Sequence, residues 1–228
     1  MSYKEIASLC SSSEVSYKEA KKVIEPFFEE WWDKRLKDQV VDAAELLDVL
    51  LEIAKNKSRI SNYTLDKFLS VIADWGNQIY WLKEHWETSE YEALKAKTID
   101  FVLTMLTIIK RSKTKTSDTL RAYLLQFLTK MLGMELHPEF LPILEDSMMV
   151  MNTEEQFFAL EGLNYYFCWE GTKLNKELIS KLEEIVEKTT VRSNASNALN
   201  VLINAGVIKQ INAVFAMDHW KDRNRGNW

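Results

Sequence analysis

The residue types that could do chemistry in this chain are spread out, and their spacing argues against most catalytic sites. His85, His137 and His219 stand far apart, and none of them follows a carboxylate by three residues, the spacing used in di-iron helical bundles. Cys10 and Cys168 form neither a metal-binding nor a redox spacing. Phosphate-binding glycine loops, the hydrolase nucleophile elbow and the zinc-protease histidine pair are also missing from the sequence. The sequence therefore predicts a non-enzyme that has no catalytic residues, no metal and no cofactor.

Adjacent carboxylates provide a second kind of candidate. Pairs such as Glu154-Glu155 point in different directions on a helix, so they predict surface charge instead of an acid–base pair. The net charge is −5, and the acidic residues concentrate in 131–190, where 4 Lys/Arg stand against 12 Asp/Glu. An acidic surface attracts a basic protein and speeds its capture, whereas it disfavours nucleic acid. The residues expected to form this partner-binding surface are Glu154, Glu155, Glu161, Glu183, Glu184 and Glu187.

Uncharged amides form the third candidate group, within VRSNASNALNVLINAG at 191–206. At 100° per residue, Asn194, Asn197, Asn200 and Asn204 cluster on one side of a helix, and apolar residues cover the other. Asparagine costs a helix roughly half a kcal/mol more than alanine, so it is a poor choice for a merely solvated face. An amide can both donate and accept, which suits a partner's backbone. The row predicts either a partner-binding surface or an ordinary exposed helix face.

The elements that would position these residues are helices. The chain has only six glycines and three prolines in 228 residues, fewer than a sheet protein of this length needs for its turns. Helical periodicity is nearly continuous. We expect an all-α, single-domain α-solenoid-like stack over 1–228, with antiparallel helix pairs. Its expected parts are N-terminal cap helices at 1–38, helix pairs at about 39–75, 94–132, 153–188 and 190–221, and a polar tail at 222–228.

An internal repeat supports this organisation. Residues 46–73 overlay 101–128 without a gap, and in both copies a helix ends in a basic polar stretch before a second helix follows. The matching apolar positions include Leu47, Leu69 and Ile72 on Val102, Leu124 and Phe127, and also Leu51 and Leu65 on Leu106 and Leu120. One helix–turn–helix unit used twice is typical of a helical repeat protein.

The stretch 191–211 resembles HEAT and armadillo repeats. Val191-Arg192, Ala195, Ala198-Leu199 and Leu202 match the VR..A..AL..L pattern of these families, and Ala205-Gly206 resembles the armadillo turn into a new helix. The resemblance implies stacked helix pairs with a concave groove. Armadillo proteins line that groove with asparagines that bind an extended peptide, so the resemblance also implies a recognition role for the four asparagines.

These observations favour a non-catalytic protein-binding module in the cytoplasm, most concretely an inhibitor or immunity-type protein that masks a basic partner such as a nuclease toxin. The longest apolar run, 101–109, is too short to span a bilayer, and the first residues do not form a secretory signal. One alternative is an adaptor that binds an extended peptide. Another is a HEAT-like alkylpurine DNA glycosylase, because the tripeptide Trp31-Trp32-Asp33 resembles a tripeptide found in that family. The sequence leaves the oligomeric state open.

Overall fold

The computed structural model describes residues 88–111 and 115–224, with backbone alone at 115–117, and twelve single positions before them (5, 18, 19, 22, 26, 47, 48, 69, 70, 72, 73 and 79). These residues form α-helices and one 3-10 helix, and they contain no strand, which confirms the all-α class. The α-helices are α1 (Thr88–Ile108), α2 (Lys115–Leu132), α3 (Leu141–Ser147), α4 (Glu154–Tyr166), α5 (Lys176–Lys188), α6 (Arg192–Asn204) and α7 (Gln210–Arg223). The 3-10 helix, Pro138–Phe140, leads directly into α3. None of the described helices is both long and apolar enough to cross a bilayer.

The chain divides into two compact units, Met1–Phe127 and Leu128–Trp228, with the boundary inside α2. The single-domain organisation stays a prediction. The helix pair expected from about residue 94 begins at Thr88. The pair expected at 39–75 lies outside the described residues except at single positions, and so do the N-terminal cap helices.

In the first unit, the repeat positions that the structure describes are buried in both copies. Leu47, Leu69 and Ile72 are at most 1% exposed, and their counterparts Val102, Leu124 and Phe127 are fully buried. Leu106 and Leu120 are also buried, while Leu51 and Leu65 lie outside the described residues. Buried apolar positions at matching places are what a repeated helix pair requires.

The end of α1 is closed by an arginine from the following helix. Arg121 is buried, and its Nη1 donates to the carbonyl oxygens of Leu106 at 2.8 Å and Ile109 at 2.7 Å. The last carbonyls of a helix have no partner within the helix, so a cation that donates to them satisfies them and complements the helix dipole. This contact fixes the start of α2 against the end of α1.

In the second unit, local chemistry sets the helix ends. The hydroxyl of Thr153 accepts from the backbone N–H of Gln156 at 3.0 Å and so caps α4, while the Asn175 side chain caps α5 in the same way. Beyond α6, Gly206 takes a φ of 72°, and the N–H of Val207 donates to the carbonyl of Leu202. This left-handed turn is a Schellman motif, a common helix ending that glycine adopts without strain.

Helices α4 and α6 run parallel. Near their N-termini, Asn194 Nδ2 donates to Gln156 Oε1, 38 residues earlier in the chain, and near their C-termini Asn204 Nδ2 donates to Asn164 Oδ1, 40 residues earlier. Each helix has 13 residues. Helix α6 packs against both α4 and α5, and α7 packs against α6 and α5.

Candidate protein-binding surface

Helix α6 carries the four candidate asparagines and an apolar face. That face packs against α4 and α5. It consists of Ala195, Ala198, Leu199, Val201 and Leu202. The four asparagine side chains differ sharply in their exposure to solvent. Only an exposed side chain can contact a partner.

Asn194 is not part of an accessible face. Its side chain is fully buried, and its Nδ2 lies 2.7 Å from the Gln156 Oε1 to which it donates. Gln156 is also fully buried; its Oε1 accepts from the backbone N–H of Asn152, and its Nε2 donates to the carbonyl of Met148. A buried amide needs partners for its polar groups. The prediction that Asn194 binds a partner is therefore wrong, because the side chain joins α6 to α4 inside the unit.

The other three asparagines differ from one another. Asn197 is half-buried, and its Nδ2 is buried without a hydrogen-bond partner in the described structure. Asn200 is exposed. Asn204 is exposed, but its Nδ2 donates to Asn164 Oδ1 at 2.5 Å and lies 3.1 Å from Cys168 Sγ. The four amides do not form one free row, since two of them are occupied by bonds to α4 and the turn after it.

The acidic candidates are accessible with one exception. Glu155 is 1% exposed, so the prediction that it contributes to an exposed negative surface is wrong. It stands one turn before Ala159 and two turns before Gly162, and all three lie on the buried side of α4. Glu154, its neighbour, is exposed in the first turn of the same helix.

Helix α5 carries the densest group of accessible carboxylates. Its inner side buries Leu178, Leu182 and Ile185, which leaves the remaining positions facing outward. Glu183, Glu184 and Glu187 are all exposed. A side-chain hydrogen bond from Lys188 to Glu184, at 2.5 Å, pairs the two charges and raises the pKa of the lysine.

Glu183 and Glu187 are four residues apart and point in nearly the same direction on α5. Within the described part of the chain, neither carboxylate has an ion-pair partner. The two charges together form a local anionic surface, with Glu184 beside it. We call the surface formed by Glu183, Glu184 and Glu187 the acidic face of α5.

Glu161 lies on α4, half-buried, in a different electrostatic setting. Burial raises the pKa of its carboxyl above the ordinary 4.5, and the positive charge of Lys130 partly offsets that rise. Desolvation disfavours the charged form, so this carboxylate is less suited than an exposed one to long-range attraction of a cation. Of the six acidic candidates, the structure brings together Glu183, Glu184 and Glu187.

The other chemically capable residues have structural contacts. His137 is buried and stacks on Phe140, with its Nδ1 3.1 Å from Glu139 Oε1. His219 is exposed, and its neighbour Trp220 is buried with its indole N–H donating to the carbonyl of Thr189. Among the residues that the structure describes, no group of three or more His, Cys, Asp or Glu side chains is arranged to hold a metal ion.

The sequence analysis did not predict that Gln156 and Asn164 accept hydrogen bonds from Asn194 and Asn204. A signal was present, because Val201 lies seven residues after Asn194 and shares its direction on the helix. An apolar residue on the same side of the helix as Asn194 indicates that this side packs against another element.

Comparison with known proteins adds no family. No protein-family model matches the chain, and neither a curated protein nor a solved structure matches it.

Proposed function

We propose that this chain is a non-catalytic protein-binding module, organised as a HEAT-like helical repeat stack, that engages a basic protein through the acidic face of α5. The observation that carries the proposal is the pair Glu183 and Glu187, exposed on one side of α5 and four residues apart. Two like charges at this spacing repel each other by a few tenths of a kcal/mol in the free protein. A cationic partner relieves that repulsion, so the arrangement favours binding over isolation.

The repeat organisation rests on the alignment of successive helices. Helices α4 and α6 are parallel and of equal length, and their N-terminal contacts join residues 38 apart. At the other side, Arg223 at the end of α7 donates to the carbonyl oxygens of Glu187 and Val186 at the end of α5. Helix α6 packs against α4 and α5, and α7 packs against α6 and α5, so each of these two helices contacts the helix two positions earlier, which supports a repeat organisation.

The acidic face of α5 is held rigidly by this packing. Leu178, Leu182 and Ile185 anchor the inner side of the helix, and Asn175 caps its first turn. A helix that is already formed need not order its backbone on binding, and complementary charge raises the association rate most at low salt. An inhibitor that masks a basic protein, such as a nuclease toxin, is the most concrete form of the proposal.

The test uses the double charge reversal Glu183→Lys with Glu187→Lys. Wild-type and variant chains are immobilised and exposed to extract of the source cells, and retained proteins are quantified by mass spectrometry. We expect the wild type to retain at least one protein of basic isoelectric point that the variant loses. Retention of the same proteins by both chains would contradict the proposal.

A matched control separates the acidic face from net charge. Asp100→Lys with Glu170→Lys changes the total charge equally, and both positions are exposed and outside that face. This control should keep the partner. With the purified partner, its association rate should fall steeply with rising salt, and the dependence should flatten for the Glu183/Glu187 variant alone.

A further inference from the structure

The turn between α3 and α4 contains a methionine whose sulfur belongs to the hydrogen-bond network around Gln156. The Nε2 of Gln156 donates to the carbonyl oxygen of Met148 at 2.8 Å, and it also donates to the Sδ of Met151 at 3.1 Å. A side-chain amide has two N–H donors, so these two contacts use both of them. Gln156 is fully buried, whereas Met151 is half-buried. The thioether of Met151 therefore connects a buried network to the surface of the unit.

Gln156 is also the residue that joins this turn to α6. Its Oε1 accepts from the backbone N–H of Asn152 at 2.9 Å and from the Nδ2 of Asn194 at 2.7 Å. A backbone N–H can only donate and a carbonyl oxygen can only accept, so the contacts with Asn152 and Met148 fix the orientation of the amide. A change that moves this amide would weaken the turn and the contact between α4 and α6 together.

Of the groups in this network, the thioether is the one that peroxide oxidises. Hydrogen peroxide transfers one oxygen atom to the sulfur. The S–O bond forms as the O–O bond breaks, the sulfur loses two electrons, and the peroxide is reduced to water. The product, methionine sulfoxide, is polar, and sulfoxide reductases return it to the thioether. Peroxide must reach the sulfur, so the half-buried Met151 is open to attack, whereas the fully buried Met148 is protected.

The contact between Met151 and Gln156 leaves no room for the added oxygen. The 3.1 Å between Sδ and Nε2 is already close to the length of one N–H···O hydrogen bond, about 2.9–3.0 Å. An oxygen between the two atoms would push the sulfur away from Gln156. An oxygen on the other side of the sulfur would withdraw electron density and make the sulfur a poorer acceptor. In either case the present N–H···S contact is lost from a buried amide that needs its acceptors.

We propose that Met151 is a modification site for peroxide, and that its oxidation to the sulfoxide loosens both the turn before α4 and the contact of α4 with α6. The effect passes through Gln156, since this one side chain contacts Met151, the backbone of the turn and Asn194. The proposal stands independently of the acidic face of α5, to which none of these residues belongs.

The test compares the full chain before and after treatment with dilute hydrogen peroxide. Mass spectrometry of its peptides measures sulfoxide at each methionine. We expect sulfoxide at Met151 and at Met149, which is 40% exposed, and little at Met148. Oxidation should lower the thermal midpoint by at least about 2 °C. It should also speed hydrogen exchange of the Asn152 N–H at least about tenfold, because this group donates to Gln156.

Three variants assign the effect to one sulfur. Met151→Leu has a similar volume and cannot be oxidised, so peroxide should leave the thermal midpoint of this variant unchanged. Met149→Leu and Met217→Leu keep the thioether of Met151 and should respond to peroxide as the wild type does. Met217 is a matched control, since it is also half-buried but lies on α7.

Three results would each overturn the proposal. The first is a folded chain in which peroxide oxidises Met149 and leaves Met151 as the thioether. The second is a fall in the midpoint of Met151→Leu as large as that of the wild type. The third is unchanged hydrogen exchange at Asn152 in chains whose Met151 is oxidised.

Discussion

The Nδ2 of Asn194 donates a 2.7 Å hydrogen bond to the Oε1 of Gln156, and both side chains are fully buried between two parallel helices. The bond joins residues 38 apart in sequence. It converts what the helical wheel presents as a polar surface position into a structural link. The bond gives the buried Nδ2 of Asn194 a partner, and a buried polar group without a partner costs about 1–3 kcal/mol.

Three alanine substitutions on α6 should therefore have different effects on stability. Asn194→Ala should lower the free energy of unfolding by about 0.5–1.5 kcal/mol, because it removes one buried hydrogen bond to Gln156 Oε1, which keeps its bond from the N–H of Asn152. Asn197→Ala should raise it, since Nδ2 of Asn197 is buried without a partner in the described structure and alanine is the better helix former. Asn200→Ala, at an exposed site, should raise it by about half a kcal/mol at most. Urea unfolding of the three variants gives the order directly, and equal effects would refute the assignment.

Gly162 should be intolerant of a methyl group although it lies in a helix. A Cβ built there would lie 2.9 Å from Leu144 Cδ2 and 3.1 Å from Thr129 Oγ1, and Leu144 is fully buried and cannot easily move. The gain from replacing helical glycine, about 1 kcal/mol, is outweighed by an overpacking cost of about 1–3 kcal/mol. We expect Gly162→Ala to lower the thermal midpoint.

Gly133→Ala is the matched control for that substitution. Its nearest neighbour to a built Cβ is the Lys130 carbonyl oxygen at 3.4 Å, an ordinary contact. It should leave the midpoint unchanged or raise it, because alanine reduces the entropy of the unfolded chain. A drop of the same size in both variants would show that the contact with Leu144 is not the cause.

Glu161 should make stability depend on pH in a defined direction. Burial raises its folded-state pKa above 4.5, so between the unfolded and folded values the folded chain binds more protons than the unfolded chain. The contribution of this residue to the free energy of unfolding therefore falls as pH rises through that window, and it is most favourable below it. Glu161→Gln should be more stable than the wild type at neutral pH, with the difference closing as pH falls toward 4.5.

Lys130 provides the internal check on that prediction. Its charge lowers the pKa of Glu161, so Lys130→Gln should widen the pH window and steepen the loss of stability at neutral pH. Chemical denaturation at a series of pH values measures both variants. A Glu161→Gln profile parallel to the wild-type profile would exclude this carboxyl as the source.

The positions of the helix ends could be predicted from the sequence, because a helix end depends on residues close to it in the chain. Threonine is a residue type favoured at N-caps, and the hydroxyl of Thr153 accepts from the N–H of Gln156, three residues on. The sequence places a turn at Ala205-Gly206, and α6 ends at Asn204 with Gly206 in the left-handed turn. Caps and turns depend on neighbours within a few residues, so the sequence contains what is needed to predict them.

The candidate surface was harder to predict because burial depends on distant residues. The helical wheel gives the direction of Asn194 from the axis of α6, yet only the position of α4 decides whether that direction is covered. Hydrophobic periodicity also cannot detect a pair such as Asn194 and Gln156, since both members are polar. The burial of Glu155 could in principle be predicted from the sequence, because Glu155 precedes the buried Ala159 by one turn.

Asn152 should be the residue whose replacement best separates hydrogen bonding from backbone strain. It has a φ of 62°, and its Oδ1 accepts from Thr189 Oγ1 and from the backbone N–H of Thr190, both at 2.9 Å. These bonds fasten the turn before α4 to the turn before α6. Asn152→Gly removes both bonds but suits the left-handed backbone, whereas Asn152→Ala removes the bonds and also places a Cβ in an unfavourable conformation.

Asn152→Gly should therefore lower the free energy of unfolding by about 1–3 kcal/mol, from two hydrogen bonds at about 0.5–1.5 kcal/mol each. Asn152→Ala should lower it by about 1–2 kcal/mol more, which is the cost of a left-handed conformation for a residue with a side chain. Asn152→Asp keeps the acceptor and tolerates the same backbone, so it should remain closest to the wild type. Guanidinium unfolding gives the three values. If glycine and alanine prove equally destabilising, the backbone conformation contributes nothing, and the two hydrogen bonds alone account for the role of this asparagine.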